Sequence, residues 1–218
     1  MDIHKPKAAK SWREFAIEIG TIVVGILIAL GLEQVAEAVR HRGEAREARE
    51  TIRAEIVTDI TRVVSRQKAE PCVERRIAEL EASLLHPDAE GRIAKLAWIG
   101  RAPRYAIESS RWAAASQSGR ASLLTPDEQG RYGFLHTALA YFYDMENGEQ
   151  GAWSKLRALE GIERLSPDGQ LTARMALQDA KFHDASGRQV ASLILKRAGE
   201  LGLKPTPHND GPWAICLP

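Results

Sequence analysis

Four groups of residues in this chain have types or spacings that could support chemistry. Ser65-Arg66-Gln67-Lys68 has the Ser-x-x-Lys spacing in which a lysine activates a serine nucleophile. Asp179 and His183 stand one helical turn apart with Asp184 beside them, the start of a metal or acid–base site. Ser116 and Ser118 lie close to Gly119 and could offer a nucleophilic hydroxyl. Cys72 and Cys216 are the two cysteines, so each is the other's only intramolecular disulfide partner. The surroundings weaken the first three. Ser65 sits in a charged helical stretch with no Ser-Asp-Asn or Lys-Thr-Gly after it, and Asp179 with His183 has the spacing of an ordinary surface pair. Ser116 and Ser118 mark a helix end, where hydroxyls cap carbonyls. The sequence holds no GxxxxGK, GxSxG, HExxH or CxxC. The expectation is a non-enzymatic chain with no catalytic residue, no metal site and no cofactor.

Composition narrows the class further. The 218 residues carry 30 Lys+Arg against 29 Asp+Glu, a net charge of +1, and no long basic run. A nucleic-acid partner is therefore not expected, because phosphate binding calls for a positive face. Two cysteines exclude a disulfide-dense scaffold and a structural zinc or iron–sulfur site built from cysteines alone.

The elements that must position these residues begin with an uncharged run. Ile19 to Leu32 has fourteen residues without a charge, between Glu18 and Glu33. At 1.5 Å per residue it covers about 21 Å, so a bilayer crossing must borrow neighbours from Trp12 to Val35. The run shows no polar face, unlike most core helices of soluble proteins, which is the competing reading. A cleaved signal peptide also competes, with Lys5, Lys7, Lys10 and Arg13 as its basic region and Ala36-Glu37-Ala38 as a small-x-small site. Against cleavage stand the acidic Glu33 and Glu37 and a sequence that continues as helix. The positive-inside count is tied, since Arg40, Arg42, Arg46 and Arg49 follow the span. The short leading tail tips the orientation to N-terminus in the cytoplasm and domain outside.

Thr21, Gly25 and Ala29 recur every four residues, a small-residue stripe that admits another helix, and Glu18 lies one heptad before Gly25 on the same side. These four residues form the expected packing face within the membrane. Glu18 either snorkels to the interface or meets a polar partner there.

The stretch from Glu18-Ile19-Gly20 through Val23-Val24-Gly25-Ile26-Leu27-Ile28-Ala29-Leu30 resembles the N-terminal signature of a bacterial single-pass membrane family of unknown function. Ser110-Arg111-Trp112, Ser118-Gly119 and Leu123-Leu124-Thr125-Pro126 are similar to a Trp, Ser-Gly, Leu-Leu-Ser/Thr-Pro pattern among its proteobacterial members. The usual asparagine-rich exit from the span is replaced by Glu33-Gln34. The resemblance implies a bacterial inner-membrane protein and supplies no activity.

Beyond the span the pattern is all-α. The boundaries read as a cytoplasmic tail 1–14, a transmembrane helix 15–35, a charged helical stalk 36–50, a helical domain 51–202 and an extended tail 203–218. Ile52, Ile56, Ile60 and Val63 carry the first helix into the core. Pro71 ends it, and Cys72, Val73, Ile77, Leu80 and Leu84 define a second helix. A short helix is expected over Ile93–Ile99 and another over Ala106–Gln117, closed by Ser118-Gly119. Thr125-Pro126-Asp127-Glu128 and Ser166-Pro167-Asp168 are helix starts. The helix after the first presents Tyr132, Leu135, Leu139 and Phe142. The helix after the second is threaded by Leu171, Met175, Phe182, Val190, Leu193 and Ile194 to about Leu201. Pro205, Pro207, Gly211 and Pro212 keep the tail from being a helix, yet Trp213, Ile215 and Cys216 suit docking, with a Cys72–Cys216 disulfide if the domain lies outside the cytoplasm.

Two functions follow. The first is a membrane-anchored structural or interaction protein whose partners are the bilayer and either its own copies or another integral membrane protein. The second is a periplasmic ligand-binding or sensor module, with Trp112, Tyr132 and Tyr141 as the lining of a cavity.

Overall fold

The computed structural model of the chain describes residues 12–209 and 213–217. Lys5, Lys7 and Lys10, and the Gly211-Pro212 interruption of the tail, lie outside the described residues. Four α-helices follow one another: α1 (Trp12–Leu84), α2 (Ser110–Gln117), α3 (Pro126–Arg157) and α4 (Pro167–Glu200). Short 3-10 turns cover Arg120–Leu123 and Ala214–Cys216. Among the described residues there is no strand, only an isolated bridge between Arg92 and Arg164. The all-α reading holds. The chain divides into two compact units, residues 1–47 and 48–218.

The second unit is a bundle of α1, α3 and α4 with two hydrophobic clusters. Ile52, Ile56, Ile60 and Val63 of α1 meet Tyr132 to Phe142 of α3 and Ala191, Ile194 and Ala198 of α4. Val73, Ile77, Leu80 and Leu84 meet Ala152, Trp153 and Leu156, and Ala173 to Ala180. The pairing order makes α3 parallel to α1 and α4 antiparallel to both. Parallel neighbours need a long return, and residues 85–109 provide it. That segment runs back along α1: Ser83 donates to the Ala94 carbonyl, Arg76 Nε to Ile99 at 3.0 Å, and Arg62 to Ala106 at 2.7 Å.

The helix starts are capped as the sequence implies. Thr125 and Glu128 form a capping box at α3, and Ser166 accepts from Gly169 N at α4. Gly119 takes the left-handed conformation (φ 75°) after α2. Arg49, placed by sequence at the end of a solvated stalk, bonds both oxygens of Glu128, at 2.5 and 3.1 Å.

Four local expectations fail. Pro71 does not end a helix; α1 continues through it to Leu84. An internal proline costs about 3 kcal/mol, but residues before and after Pro71 are anchored in different clusters, and its own ring is exposed. No helix forms over Ile93–Ile99. Backbone bonds from Ile93 N to the Glu163 carbonyl and from Gly161 N to the Leu96 carbonyl hold the segment against the α3–α4 connection. Gly91 (φ 76°) permits the closest approach, since a Cβ there would lie 2.8 Å from the Leu165 carbonyl oxygen.

The helix expected from Ala106 starts instead at Ser110. Two buried carboxylates explain it: Glu55 accepts from the backbone N–H of Arg111 and Trp112, and Asp59 from that of Glu108. Acidic acceptors at a helix N-terminus fix where the helix begins. Finally, Leu171, Met175, Phe182 and Leu193 do not thread the core; they are 58%, 59%, 61% and 39% exposed. The core face of α4 is made of small residues, Ala173, Ala176, Ala180, Ala191 and Ala198, with Leu177 and Ile194. Alanines bring α4 close to its neighbours, and the large side chains are left outside.

Candidate functional site

A polar layer separates the two hydrophobic clusters, and it is the most chemically loaded part of the bundle. Arg66 of α1 is its centre. One guanidinium nitrogen, Nη2, donates to Glu149 Oε1 and Oε2 at 3.2 and 3.0 Å and to Asp184 Oδ1 at 3.0 Å. The other, Nη1, donates to Glu70 at 2.7 Å. Trp153 donates its indole N–H to Glu149. Arg188 lies near Glu70 and Asp184, at 3.4 and 3.5 Å, and also pairs with Glu74. Glu146 is 3% exposed and accepts from Tyr105 N.

Burial decides the protonation of this layer. It pushes Glu146 up to about 8, against the pull of Arg66. It pushes Glu70 up to about 7, helped by the negative charge of neighbouring Asp184 and against the pull of Arg66. Glu149 is also raised by burial, although Arg66 opposes it. Burial works against the charge of Arg66 itself, but the surrounding carboxylates outweigh it and hold the guanidinium above its ordinary pKa. The layer thus keeps Arg66 charged and holds protons on part of its carboxylates near neutrality. A cavity of about 10 Å³, bordered by Glu70, Glu146, His183 and Asp184, is about the size of one water. Glu70 Oε1, Glu146 Oε1 and His183 Nδ1 are buried there without a hydrogen-bond partner. Among the described residues no group of three or more His, Cys, Asp or Glu could hold a metal ion.

The residues singled out by sequence are scattered. Ser65 is buried and Lys68 exposed, donating to the His208 carbonyl, so they do not make a nucleophile and its base. Asp179 pairs with Lys155 at the surface, whereas Asp184 joins the buried layer. Ser118 caps α2 by donating to Ala114 O at 2.7 Å. Tyr132 is 1% exposed and Tyr141 47%, so those two rings do not line one cavity. Cys72 and Cys216 are joined in a disulfide. The tail it fastens runs along α1, with Thr206 N donating to Thr61 and Trp213 donating to Tyr105. On the first unit Glu18, Thr21, Gly25 and Ala29 are all exposed, and Thr21 donates to the Ile17 carbonyl at 2.9 Å. A Cβ added at Gly25 would meet nothing within 4 Å.

No protein-family model, curated protein or solved structure matches this chain.

Sequence reasoning missed the layer because Arg66 and Glu70, at i,i+4, look like a surface ion pair. The available signal was the interruption of the apolar stripe between Val63 and Val73 by charged residues on the same helix.

Proposed function

We propose that the chain is a membrane-anchored structural or interaction protein, an accessory or self-associating component of a bacterial inner-membrane complex, with its helical unit in the periplasm. The observation that carries the reading is the apolar stretch near the start of α1. Its best 18-residue window has a mean hydropathy of 2.4, and none of it is buried. Leaving that much apolar surface in water is costly, and a bilayer is the solvent it fits. The Cys72–Cys216 disulfide supports placing the bundle in an oxidising compartment. The water-sized cavity beside Arg66 supports a structural rather than a catalytic part for the buried carboxylates. Thr21, Gly25 and Ala29 are the residues through which the span meets a second helix, with Glu18 at its edge.

The test is native mass spectrometry of the full-length chain extracted in mild detergent. A clean multiple of 24.1 kDa, reduced to one copy by Gly25→Leu, supports self-association through the span. A second protein in fixed ratio supports the accessory-subunit form. A bare monomer sinks both, and a soluble chain lacking roughly its first 38 residues shows a signal peptide instead of an anchor.

A further inference from the structure

The Cys72–Cys216 bridge packs against the cluster that contains Val73 and Trp153, but it is not sealed there, since both cysteines are partly exposed. Cys216 borders an open cleft of about 250 Å³, together with Arg75, Arg76 and Glu79 of α1, Trp98 of the return segment and Leu217 of the tail. One wall of the cleft is fixed. The Trp98 ring lies over Gly100, where a Cβ would come within 2.5 Å of it. Arg76 sits 5.3 Å from the centroid of that ring and donates to the carbonyls of Ile99 and Trp98. Two arginines face one carboxylate in the cleft: Arg76 pairs with Glu79 at 2.6 Å, and the more exposed Arg75 at 3.9 Å. Three and four residues beyond Cys72, both arginines stand on its side of α1.

We propose that this bridge is a thiol–disulfide exchange site, with Cys216 as the sulfur attacked, Cys72 as the leaving group and a small carboxylate-bearing thiol as the reactant. A thiolate opens a disulfide at a rate set by which sulfur it can reach and by how well the departing thiolate is stabilised. The cleft supplies access on the Cys216 side, and its volume admits a small molecule rather than a folded domain. The arginines supply the stabilisation, because a guanidinium beside a sulfur favours the thiolate. The same positive charge draws in an anionic reactant. In the first step the thiol gives its proton to solvent, its sulfur bonds to Cys216 Sγ, and the electron pair of the broken S–S bond leaves on Cys72 Sγ. A second molecule of the thiol then attacks the sulfur of the first, which releases Cys216 as a thiolate and the reactant as its own disulfide. Two electrons pass from the thiol to the protein. The first step already cuts the covalent tie of the tail, which is then held by noncovalent contacts alone. This site belongs to the bundle and is independent of the face on the membrane span.

The test uses the full-length oxidised chain in mild detergent, reduced glutathione as the probe, and N-ethylmaleimide to trap free thiols at early times. Peptide mapping is expected to find glutathione on Cys216 and maleimide on Cys72 about tenfold more often than the reverse. The rate is expected to stay within about twofold between 0 and 1 M urea, whereas attack that waits for global unfolding would speed up by about fivefold or more. Arg75→Gln should slow the reaction by about threefold or more with the melting temperature unchanged, and Arg75→Lys should keep most of the rate. No mixed disulfide, glutathione chiefly on Cys72, or a rate that climbs with urea as unfolding does would each overturn the site. An Arg75→Gln chain that reacts at full speed would overturn the part given to the arginines.

Discussion

Glu146 and Arg66 face the same problem from opposite sides, since each would be charged in water and each is nearly removed from it. Glu146 meets Arg66 of α1, Glu149 on its own helix, and Arg104 and Tyr105 of the return segment. Its pKa of about 8 lies above the ordinary carboxylate value, so the folded state binds a proton that the unfolded state has released. Stability contributed this way is present below about pH 4.5 and falls as pH rises to about 8; Glu70 acts in the same direction up to about 7. Asp59, also raised to about 7 by burial, adds to the slope. Glu128 acts oppositely: Arg49 holds it down to about 2, so its contribution is lost as pH falls from about 4.5. The melting temperature is therefore expected to peak on the mildly acidic side of neutrality and to decline toward pH 8. Glu146→Gln, neutral and nearly the same shape, should stabilise the bundle at pH 8 by about 1–3 kcal/mol and have little effect at pH 5. Urea unfolding at the two pH values checks this, and equal effects at both would show that Glu146 is not protonated by burial. Arg66→Met leaves Glu149 buried without a counter-charge and Asp184 with Arg188 alone, and a loss of about 3–5 kcal/mol is expected. Arg66→Lys should recover only part of it, because one ammonium cannot reproduce the fork that reaches Glu70, Glu149 and Asp184 together.

The helices show where pattern reading succeeds and where packing overrules it. The caps at Thr125 and Ser166 are local chemistry, written in four consecutive residues, and they are where the sequence places them. The stripe from Tyr132 to Phe142 is equally legible, because large apolar residues there face the core. On α4 the same rule selects the wrong face, since Leu171, Met175 and Phe182 outrank the alanines in hydrophobicity while the alanines allow the closer helix approach. Pro71 fails for a related reason: the local cost of proline is a few kcal/mol, and the packing of α1 on both sides of it is worth more. The polar layer was legible only as a break in the apolar stripe of α1 after Val63, because its partners come from three helices far apart in sequence. The proline still carries its cost, and Pro71→Ala is expected to stabilise the bundle by about 1–3 kcal/mol. Its ring is exposed, so no cavity is created. Chemical denaturation of the full chain reads the gain directly, and an unchanged midpoint would mean that the backbone around Gln67 has already relaxed.

The whole bundle is closed by its tail. The Cys72–Cys216 bridge spans 144 residues, which in the chain-entropy model is worth up to about 5 kcal/mol through restriction of the unfolded chain. That is a large share of the 5–15 kcal/mol that holds a typical domain together. The bridge also keeps Ile215 in the cluster that contains Val73, Ile77 and Trp153, and Trp213 beside it. Two consequences separate on reduction. The tail should detach first, because Thr206 N and the His208 carbonyl are tied to single side chains of α1 and Trp213 to Tyr105, and limited proteolysis should cut it near Pro205–Pro207 while the helices stay intact. Global stability should then fall by about 3–5 kcal/mol, read as a lower urea midpoint with reductant present. Cys216→Ser should reproduce both effects without reductant. If the reduced chain keeps its midpoint and its tail resists cleavage, then Trp213 and Ile215 hold the tail by packing alone, and the disulfide ceases to argue for an oxidising compartment. If both effects appear, the bundle depends on an oxidising environment for much of its stability, and its tail stays docked only where the disulfide can form.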